Sequence, residues 1–270
     1  MKLGLVDYFL DEFHANYYPE WIKEASGGEI TAVYAYAEIN SPKGGLTTDE
    51  WCAKYGIERV SSIEELVEKS DGIIVLSPDN PERHEELCRL PLQSGKPVYV
   101  DKTFAETKEI AERIFAAAVK HGTPCYSSSA LRYATEYADI DRSQIENIVS
   151  RGPGSVETYT IHQLEPIIAL MGPDIARVVF TGTKKWPAYV CEFADGRKAS
   201  VSHHSYECPF GMAIDFKDGT TKVIEVKSDF FKNFIAEMVD FFRTGKIKVP
   251  HEETIAVIAS IEAAVKAAGK

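Results

Sequence analysis

Short apolar runs alternate with segments of helical spacing along the first half of the chain. The apolar runs predict five buried strands: Leu3–Val6, Thr31–Ala37, Gly72–Leu76, Pro97–Val100 and Thr123–Ser127. The segments between them repeat their apolar residues at the spacing of an α-helix. Strands and helices in alternation are typical of βαβ units, so we predict a doubly wound parallel sheet up to about residue 125.

Capping signals mark the ends of two of these helices. In "SSIEELVEKSDG", Ser62 and Glu65 have the spacing of a capping box, in which each side chain bonds a backbone amide of the first turn. The segment "ETKEIAERIFAAAVKHG" consists mainly of good helix formers and ends at Gly122. We therefore predict one helix that starts after Ser62 and another that ends before Gly122.

The second half of the chain has a different pattern. A helix is predicted around "IHQLEPIIALMG", and two strand pairs with Asp-Gly turns follow in "AYVCEFADGRKASVSHH" and "GMAIDFKDGTTKVIEV". Two more helices are predicted over Asp229–Arg243 and Glu252–Ala268. We expect an α/β protein of two domains, with the parallel sheet in residues 1–125. Residues 126–270 then form an α+β domain on a largely antiparallel meander.

Charge and hydropathy exclude several classes of partner. The formal net charge of −11 argues against nucleic-acid binding, because neutralising phosphates requires clustered Lys and Arg. No apolar stretch reaches the ~18 residues of a membrane-spanning helix. The N-terminus also lacks the basic and apolar regions of a signal peptide. We expect a cytoplasmic protein with a small-molecule substrate and without nucleic-acid or membrane partners.

Cysteine and histidine usage gives little sign of a metal centre. The five cysteines form no CxxC pair, which is typical of reduced thiols packed as small apolar groups. The stretch "HHSYEC" brings His203, His204 and Cys208 together in sequence. Adjacent strand residues point to opposite faces, however, so the two histidines are poorly placed to share zinc. We predict no metal site, with one of these histidines lining a pocket instead.

The stretch "DGIIVLSPDNPERHEELCRLPLQSGKPVYVDKTFA" resembles the Gfo/Idh/MocA family of NAD(P)-dependent dehydrogenases, which act on sugars, inositols and related polyols. Ser77, Pro78 and Asp79 stand where the family has Thr-Pro-Asn, and His84 follows as the family's histidine does. Asp-Lys-Thr at 101–103 replaces its Glu-Lys-Pro. The resemblance implies a Rossmann-type first domain and assigns cofactor contacts to Ser77, Pro78, Asp79, His84 and Lys102.

A second match lies in the predicted helix "IHQLEPIIALMG", which resembles the family's helix bearing a histidine and, three residues later, an acid. This spacing places His162 and Glu165 on one helical face. The resemblance implies that Lys102 and His162 line the catalytic pocket, and that Thr158 and Glu165 contact the substrate. Arg132 in "SSSALRY" has two readings: it binds an anionic or polyol substrate, or it bridges the domains.

The implied chemistry suits these residue types. Oxidising a secondary alcohol requires a base that takes the hydroxyl proton while a hydride leaves the carbon, and His162 is the candidate base. Lys102 is suited to donate hydrogen bonds to the developing alkoxide. Plainer readings stay open for both: a surface lysine whose stem covers apolar neighbours, and a core histidine with satisfied ring nitrogens. For His84 the structural reading is a buried hydrogen-bonding residue.

The glycine-rich turn of the family is missing. In the family the first strand leads into Gly-x-Gly-x-x-Gly and then a His-Ala pair, which residues 14–15 match, but Asp7 and Phe9 stand at the first two glycine positions. Phe9 puts a large side chain where the backbone approaches the pyrophosphate. Asp7, Asp11 and Glu12 add negative charge at a helix N-terminus that binds phosphate. We expect these residues to impair dinucleotide binding in the usual pose. The alternative is that Asp11 and Glu12 are first-turn acids that complement the helix dipole.

Two functions therefore stay open. The resemblance implies an oxidoreductase that transfers a hydride between NAD or NADP and a sugar-like or polyol substrate, and homo-oligomers formed through the open face of the second sheet. The missing glycines favour a non-catalytic binding or regulatory protein on the same scaffold, and non-redox sugar chemistry is a third possibility. The fingerprint positions assigned to the cofactor are Asp7, Phe9 and Glu38, the last of which also reads as a solvated strand end.

Overall fold

Strands and helices alternate along the chain in the computed structural model, which describes residues 1–269. The helices are α1 (Phe13–Ala25), α2 (Thr48–Tyr55), α3 (Ile63–Lys69), α4 (His84–Cys88), α5 (Lys108–His121), α6 (Val156–Met171), α7 (Phe230–Thr244) and α8 (His251–Ala267). The strands are β1 (Lys2–Asp7), β2 (Thr31–Ala37), β3 (Glu58–Arg59), β4 (Gly72–Val75), β5 (Val98–Val100), β6 (Cys125–Tyr126), β7 (Ile145–Pro153), β8 (Ile175–Phe180), β9 (Ala188–Phe193), β10 (Lys198–His204), β11 (Gly211–Phe216) and β12 (Thr221–Glu225).

The first sheet is parallel throughout, in the order β3-β2-β1-β4-β5-β6, which confirms the doubly wound prediction. Its central strand β1 is buried because Leu3, Leu5 and Val6 are apolar on both faces. Gly4 lets α3 approach closely, since an added Cβ there would clash with the Leu66 side chain. Strand β3 was not predicted, because its two residues are charged and exposed and no apolar run marks it.

Local signals start and end the helices of this sheet. A full capping box begins α2 at Thr47 and Glu50, and Gly122 ends α5 in the left-handed conformation. The predicted box at α3 needs correction. Ser62 accepts a hydrogen bond from the Glu65 amide, but the Glu65 carboxylate accepts from the amide of Ser61 instead of that of Ser62. One half of the box is therefore present.

The second sheet has the order β12-β11-β7-β10-β9-β8. The two predicted hairpins are present as the antiparallel pairs β9–β10 and β11–β12. They do not form one meander, because β7 lies between them, parallel to β10 and antiparallel to β11. This strand carries Asn147, Arg151 and Gly152 among its apolar residues, so no regular alternation marks it in the sequence. The prediction of a largely antiparallel second sheet is confirmed.

The chain divides into two compact units. The first contains Met1–Ser127 and Phe234–Pro250, and the second contains Ser128–Asn233 and residues 251–269. Most of α7 thus belongs to the first unit. Its Phe234 ring lies 5.8 Å from that of Tyr18 and 5.7 Å from that of Tyr99, between centroids. The sequence pattern predicts a single boundary after residue 125, because periodicity carries no sign that a late helix returns to an earlier sheet.

The second unit is built around α6, which is apolar on most of its surface. Ile161, Leu164 and Ile168 are buried there, and α6 packs against α8 and the strands β7 and β10. Among residues 1–269, no helix is both long enough and apolar enough to span a membrane.

Candidate functional site

Three polar side chains follow neighbouring strands at the carboxyl edge of the first sheet. Strand β1 lies between β2 and β4, so the winding direction reverses there, and ligands of open α/β sheets bind at such a point. Asp7 ends β1, Ser77 follows β4 after one residue, and Asp101 directly follows β5. The candidate site of the first unit is therefore the set of side chains around these three strand ends.

Asp101 and His14 form a buried ion pair. One carboxylate oxygen of Asp101 contacts Nδ1 of His14, and the other accepts from the Tyr99 hydroxyl at 3.1 Å and the Lys102 amide at 2.8 Å. The His14 ring stacks on Tyr18 with centroids 4.6 Å apart. Burial opposes ionisation of Asp101, but His14 outweighs it and holds the pKa of Asp101 below its usual value. The pair fixes the start of the segment that carries Lys102.

The segments that follow β4 and β5 are joined by His84. The ring is fully buried, with its nitrogens 2.6 Å from the Leu76 carbonyl oxygen and 3.0 Å from that of Phe104. Burial lowers the pKa of His84, which favours a neutral ring that donates to one of these carbonyls. Ser77 is buried and its hydroxyl donates to the Asn80 carbonyl at 3.3 Å. A contact between His84 and a cofactor stays a prediction. The His84 ring has no atom exposed at the surface with which to make that contact.

The turn from β1 to α1 holds its own carboxylate on the helix amides. Glu12 is the N-cap residue, and its side chain accepts from the backbone amide of His14 at 2.7 Å and from that of Ala15. Asp11 has φ of 70°, and its carboxylate accepts from the Leu46 amide at 2.7 Å. The amide donors of His14 and Ala15 at this helix end are thus bonded within the chain.

Asp7 is the most enclosed acid of this turn. Its side chain is 1 % exposed, and within residues 1–269 its Oδ2 has no hydrogen-bond partner. Burial, followed by the charge of Glu12, raises the pKa of Asp7 well above its usual value. The nearby Phe9 ring is also buried, at 4 % exposed. The two sequence positions that replace the family's glycines therefore form part of the packed interior.

The acid after β2 is paired as well. Glu38 accepts three hydrogen bonds from Arg83 in a bidentate arrangement: Nε donates to Oε2 at 3.0 Å, and Nη2 donates to Oε1 at 2.8 Å and to Oε2 at 2.7 Å. The Arg83 guanidinium also lies over the Tyr8 ring, 5.4 Å from its centroid. Glu38 is thus engaged by a cation of its own unit, which neither of the two readings of this residue included.

The segment 40–47 lies against the same edge. Lys43 donates to Asp79 at 2.9 Å and its Nζ lies 5.7 Å from the centroid of Phe9. The Leu46 amide bonds Asp11, as described above. Pro78 is half-buried and Asp79 is exposed. This segment therefore connects the β1–α1 turn with the residues that follow β4.

In the second unit, His162 lies on α6 within an aromatic cluster. Its Nδ1 is 2.7 Å from the Ser129 hydroxyl. The rings of Tyr159 and Phe210 meet the imidazole edge to face, at centroid distances of 5.5 and 5.8 Å. The ring is therefore held in one orientation. Thr158 is exposed at the start of the same helix, 3.0 Å from the Ser155 hydroxyl.

Arg132 and Glu165 are paired with each other. Arg132 Nη1 donates to Glu165 at 3.2 Å, and Nη2 contacts Glu253. The Ser128 hydroxyl donates to the same Glu165 oxygen, also at 3.2 Å. Burial raises the pKa of Glu165, although Arg132 opposes the shift. Adjacent residues 128 and 129 thus contact Glu165 and His162, which ties the predicted pair on α6 to the segment after β6.

The histidines considered for zinc have separate surroundings. His203 is buried with its Nε2 2.9 Å from the Thr160 hydroxyl, whereas His204 is exposed. Across the described residues 1–269, no group of three His, Cys, Asp or Glu side chains is arranged to hold a metal ion.

Residues 10–129 match the model of an oxidoreductase family with an NAD-binding Rossmann fold, Gfo/Idh/MocA. This segment belongs to the Gfo/Idh/MocA family. The resemblance predicted from the motifs around Ser77 and Lys102 is thereby confirmed. No curated protein matches the chain by sequence.

Several solved structures share the fold over the whole chain. GenD2 from gentamicin A biosynthesis, in complex with NAD, has a TM-score of 0.75 at 16% identity, covering 100% of this chain and 95% of its own. The UDP-N-acetylglucosamine 3-dehydrogenase GnnA from Acidithiobacillus ferrooxidans has a TM-score of 0.76 at 13% identity. The match covers 99% of this chain and 96% of GnnA. Biliverdin reductase from Synechocystis sp. PCC 6803, in complex with biliverdin and NADP+, has a TM-score of 0.70 at 17% identity. The match covers 100% of this chain and 99% of the reductase.

The groups around the β1–α1 turn do not fit the pyrophosphate of the Gfo/Idh/MocA cofactor in the arrangement described. The helix amides that would bind a phosphate already bond Glu12. A phosphate beside that carboxylate would meet a like charge, and two such charges about 4 Å apart repel by ~1 kcal/mol in water and ~4 kcal/mol near a protein surface. Glu38, at the ribose position of the Rossmann fingerprint, is held by Arg83.

Four side-chain contacts of the candidate site residues were not predicted from the sequence. The partners of the predicted residues are Arg83 for Glu38, His14 for Asp101, Ser129 for His162 and Glu253 for Arg132. The pairs are separated by 33 to 121 residues. Only the match of residues 14–15 to the family's His-Ala pair singled out one of these partners, His14.

Proposed function

We propose that the chain is an oxidoreductase that moves a hydride between NAD or NADP and a sugar-like or polyol substrate. The observation that carries the proposal is Lys102, which lies two residues after a buried strand and next to a fixed Asp101, in a segment that matches an oxidoreductase family. GnnA, which shares the fold, is a sugar-nucleotide dehydrogenase. A nicotinamide cofactor would supply the hydride acceptor or donor, and it needs the β1–α1 turn to rearrange first.

Lys102 and His162 have separate roles in this proposal. Lys102 is half-buried, and within the described part of its unit its ammonium has no hydrogen-bond or ion-pair partner. It is therefore available to donate to the substrate oxygen as negative charge develops there. His162 takes the hydroxyl proton, with Ser129 at Nδ1 fixing the ring. The edges of Tyr159 and Phe210 give this position an apolar wall that suits the C–H face of a sugar ring.

A substrate screen tests the proposal. The full chain is incubated with NAD+ or NADP+ and a panel of hexoses, inositols and sugar nucleotides, and nicotinamide absorbance is followed. We expect turnover that Lys102→Met and His162→Gln each reduce by about two to four orders of magnitude. The matched controls Lys120→Met and His121→Gln lie exposed at the end of α5 and should retain full activity. Absence of turnover with every cofactor and substrate pair would refute the proposal.

A second candidate is a binding or regulatory protein on the same scaffold. Two observations favour it: Glu12 bonds the helix amides, and Arg83 bonds Glu38. Such a protein would bind a sugar-like ligand without cofactor, so a thermal shift with the same panel in the absence of nicotinamide discriminates it. Ligand stabilisation without any turnover supports this candidate.

We also propose that copies of the chain associate through the open face of the second sheet. Val149 and Val223 lie on either side of Ala213 in register, and the two valines are 47% and 80% exposed. This row is an exposed apolar patch. Light scattering of the variants Val149→Glu and Val223→Glu tests this association, since each variant should have a lower molar mass in solution than the wild type. The cytoplasmic location stays a prediction.

A further inference from the structure

The N-terminus of α1 is occupied by a charged group of its own chain. Glu12 has an extended backbone, at φ −123° and ψ 172°, which folds its carboxylate back over the first turn. There it accepts from the amides of His14 and Ala15, the second and third residues of the helix. These amides are among the four that a helix leaves without an internal partner, and they are the donors that bind phosphate at helix ends.

The groups that face Glu12 come from three elements. Asp7 ends β1, Asp101 follows β5, and His14 lies on α1 itself. Two of the three are acids, and the one basic partner, His14, is already paired with Asp101. A phosphate entering this turn would therefore find no unpaired cation among these groups while Glu12 stays in place.

We propose that Glu12 is the specificity-determining residue of the cofactor site: its carboxylate takes the place of the pyrophosphate, and a dinucleotide binds only when Glu12 has swung away. The inference rests on the proposed function, because it concerns the same cofactor. Glu12 is half-buried and lies on a turn, so its side chain can leave without unfolding α1. Phe9 and Asp7, by contrast, are enclosed and stay in place.

The affinity for dinucleotides should therefore rise when the carboxylate is removed. Glu12→Ser keeps a good N-cap but removes the charge and most of the side chain. Glu12→Gln keeps the shape and removes only the charge. We expect Glu12→Ser to bind at least tenfold more tightly than the wild type, which corresponds to about 1.4 kcal/mol. Glu12→Gln should show a smaller gain, because its amide oxygen still competes for the helix donors.

The test is a calorimetric titration of each full-length variant with ADP and with NADH at low salt. ADP contains a pyrophosphate, and adenosine, which has none, should show no difference between variants. Glu20→Gln is the matched control, since Glu20 lies on α1 with its side chain 64% exposed. Far-ultraviolet circular dichroism confirms that α1 is retained. Equal affinity of the wild type and Glu12→Ser for ADP would overturn the inference.

Lowering the pH should also raise the affinity of the wild type for ADP. Burial raises the pKa of Glu12, with Asp101 adding to the shift and His14 opposing it. Protonation removes the competing charge, so the wild-type affinity for ADP should increase as the pH falls toward that pKa. Glu12→Gln should lack this part of the pH dependence. A structural cap with no part in binding would leave the two pH profiles parallel, which would also overturn the inference.

The outcomes separate this inference from the proposed function. Tighter ADP binding by Glu12→Ser without turnover of any substrate supports the inference and refutes the oxidoreductase. Turnover by the wild type with no gain in Glu12→Ser supports the oxidoreductase and refutes the inference. Failure of all variants to bind ADP or NADH refutes both.

Discussion

The most informative perturbation in the first unit is removal of the Asp101 carboxylate. Asp101 is fully buried and accepts from three groups: the His14 ring, the Tyr99 hydroxyl and the Lys102 amide. Asp101→Ala deletes all three contacts. Asp101→Asn keeps an oxygen for Tyr99 and Lys102 but removes the charge that faces His14. The two variants therefore separate the charge from the other hydrogen bonds.

The expected magnitude follows from burial. Removing one partner of a buried ion pair costs ~3–5 kcal/mol, because the other partner is left uncompensated. Hydrogen bonds to a charged group contribute ~1.5–3 kcal/mol each, so Asp101→Asn should lose about that much. The exposed pair of Asp49 and Arg59 is the control, and Asp49→Asn should lose less than ~1 kcal/mol. Since the free energy of unfolding of a domain is only ~5–15 kcal/mol, the Asp101→Ala variant should be only marginally stable.

The assay is urea denaturation followed by tryptophan fluorescence. Of the three tryptophans, Trp21 and Trp51 lie in the first unit and Trp186 in the second. A Trp186→Phe background, used for wild type and variants alike, makes the signal report the first unit alone. The free energy of unfolding is compared at constant m-value, so that a change in the unfolded state is recognised.

The pH dependence provides a second check. His14 holds the pKa of Asp101 below its usual value, so the stabilisation is present above the unfolded-state pKa and is lost as the pH falls through the folded one. The deficit of Asp101→Ala should therefore shrink in acid. A loss for Asp101→Ala no larger than that of Asp49→Asn at neutral pH would refute this account of the strand end.

Three further predictions concern buried groups. Asp7→Asn should be more stable than the wild type at neutral pH, and the gain should grow with pH. Burial and Glu12 raise the pKa of Asp7, so the native state loses stability as the pH rises through that value. Arg132→Met should lose ~3–5 kcal/mol by urea denaturation, because buried Glu165 loses its cationic partner. Native protein should react with Ellman's reagent at one thiol, Cys208, since the other four cysteines are buried.

Each of these has a control and a contradicting result. Asp139→Asn, at an exposed position, should show no pH-dependent gain, and a flat difference between Asp7→Asn and wild type would contradict the first prediction. Arg177→Met removes an arginine side chain that is 67% exposed and should cost under ~1 kcal/mol, so an equal loss for Arg132→Met would contradict the second. Cys208→Ser should abolish labelling, and a second reactive thiol would contradict the third.

The sequence determined the element types and the chemistry at the strand ends. Apolar runs and helical spacing marked five strands of the first sheet and the two hairpins of the second, because each is encoded by residues adjacent in the chain. The short motifs around Ser77 and Lys102 also indicated the family. Strand β7 was missed because its polar residues interrupt the alternation, and its place between the hairpins depends on pairing with distant strands.

Only the tertiary structure decided which side chains bond one another. Asp101 and His14 are 87 residues apart, and Arg83 and Glu38 are 45 apart, so neither pair follows from local periodicity. The sequence placed acids at the β1–α1 turn and left their role open between a lost cofactor site and a helix cap. The folded chain places the Glu12 carboxylate on the helix amides because the extended backbone at that residue turns its side chain toward them. Sheet register and backbone angle decide such contacts, and a linear pattern carries neither.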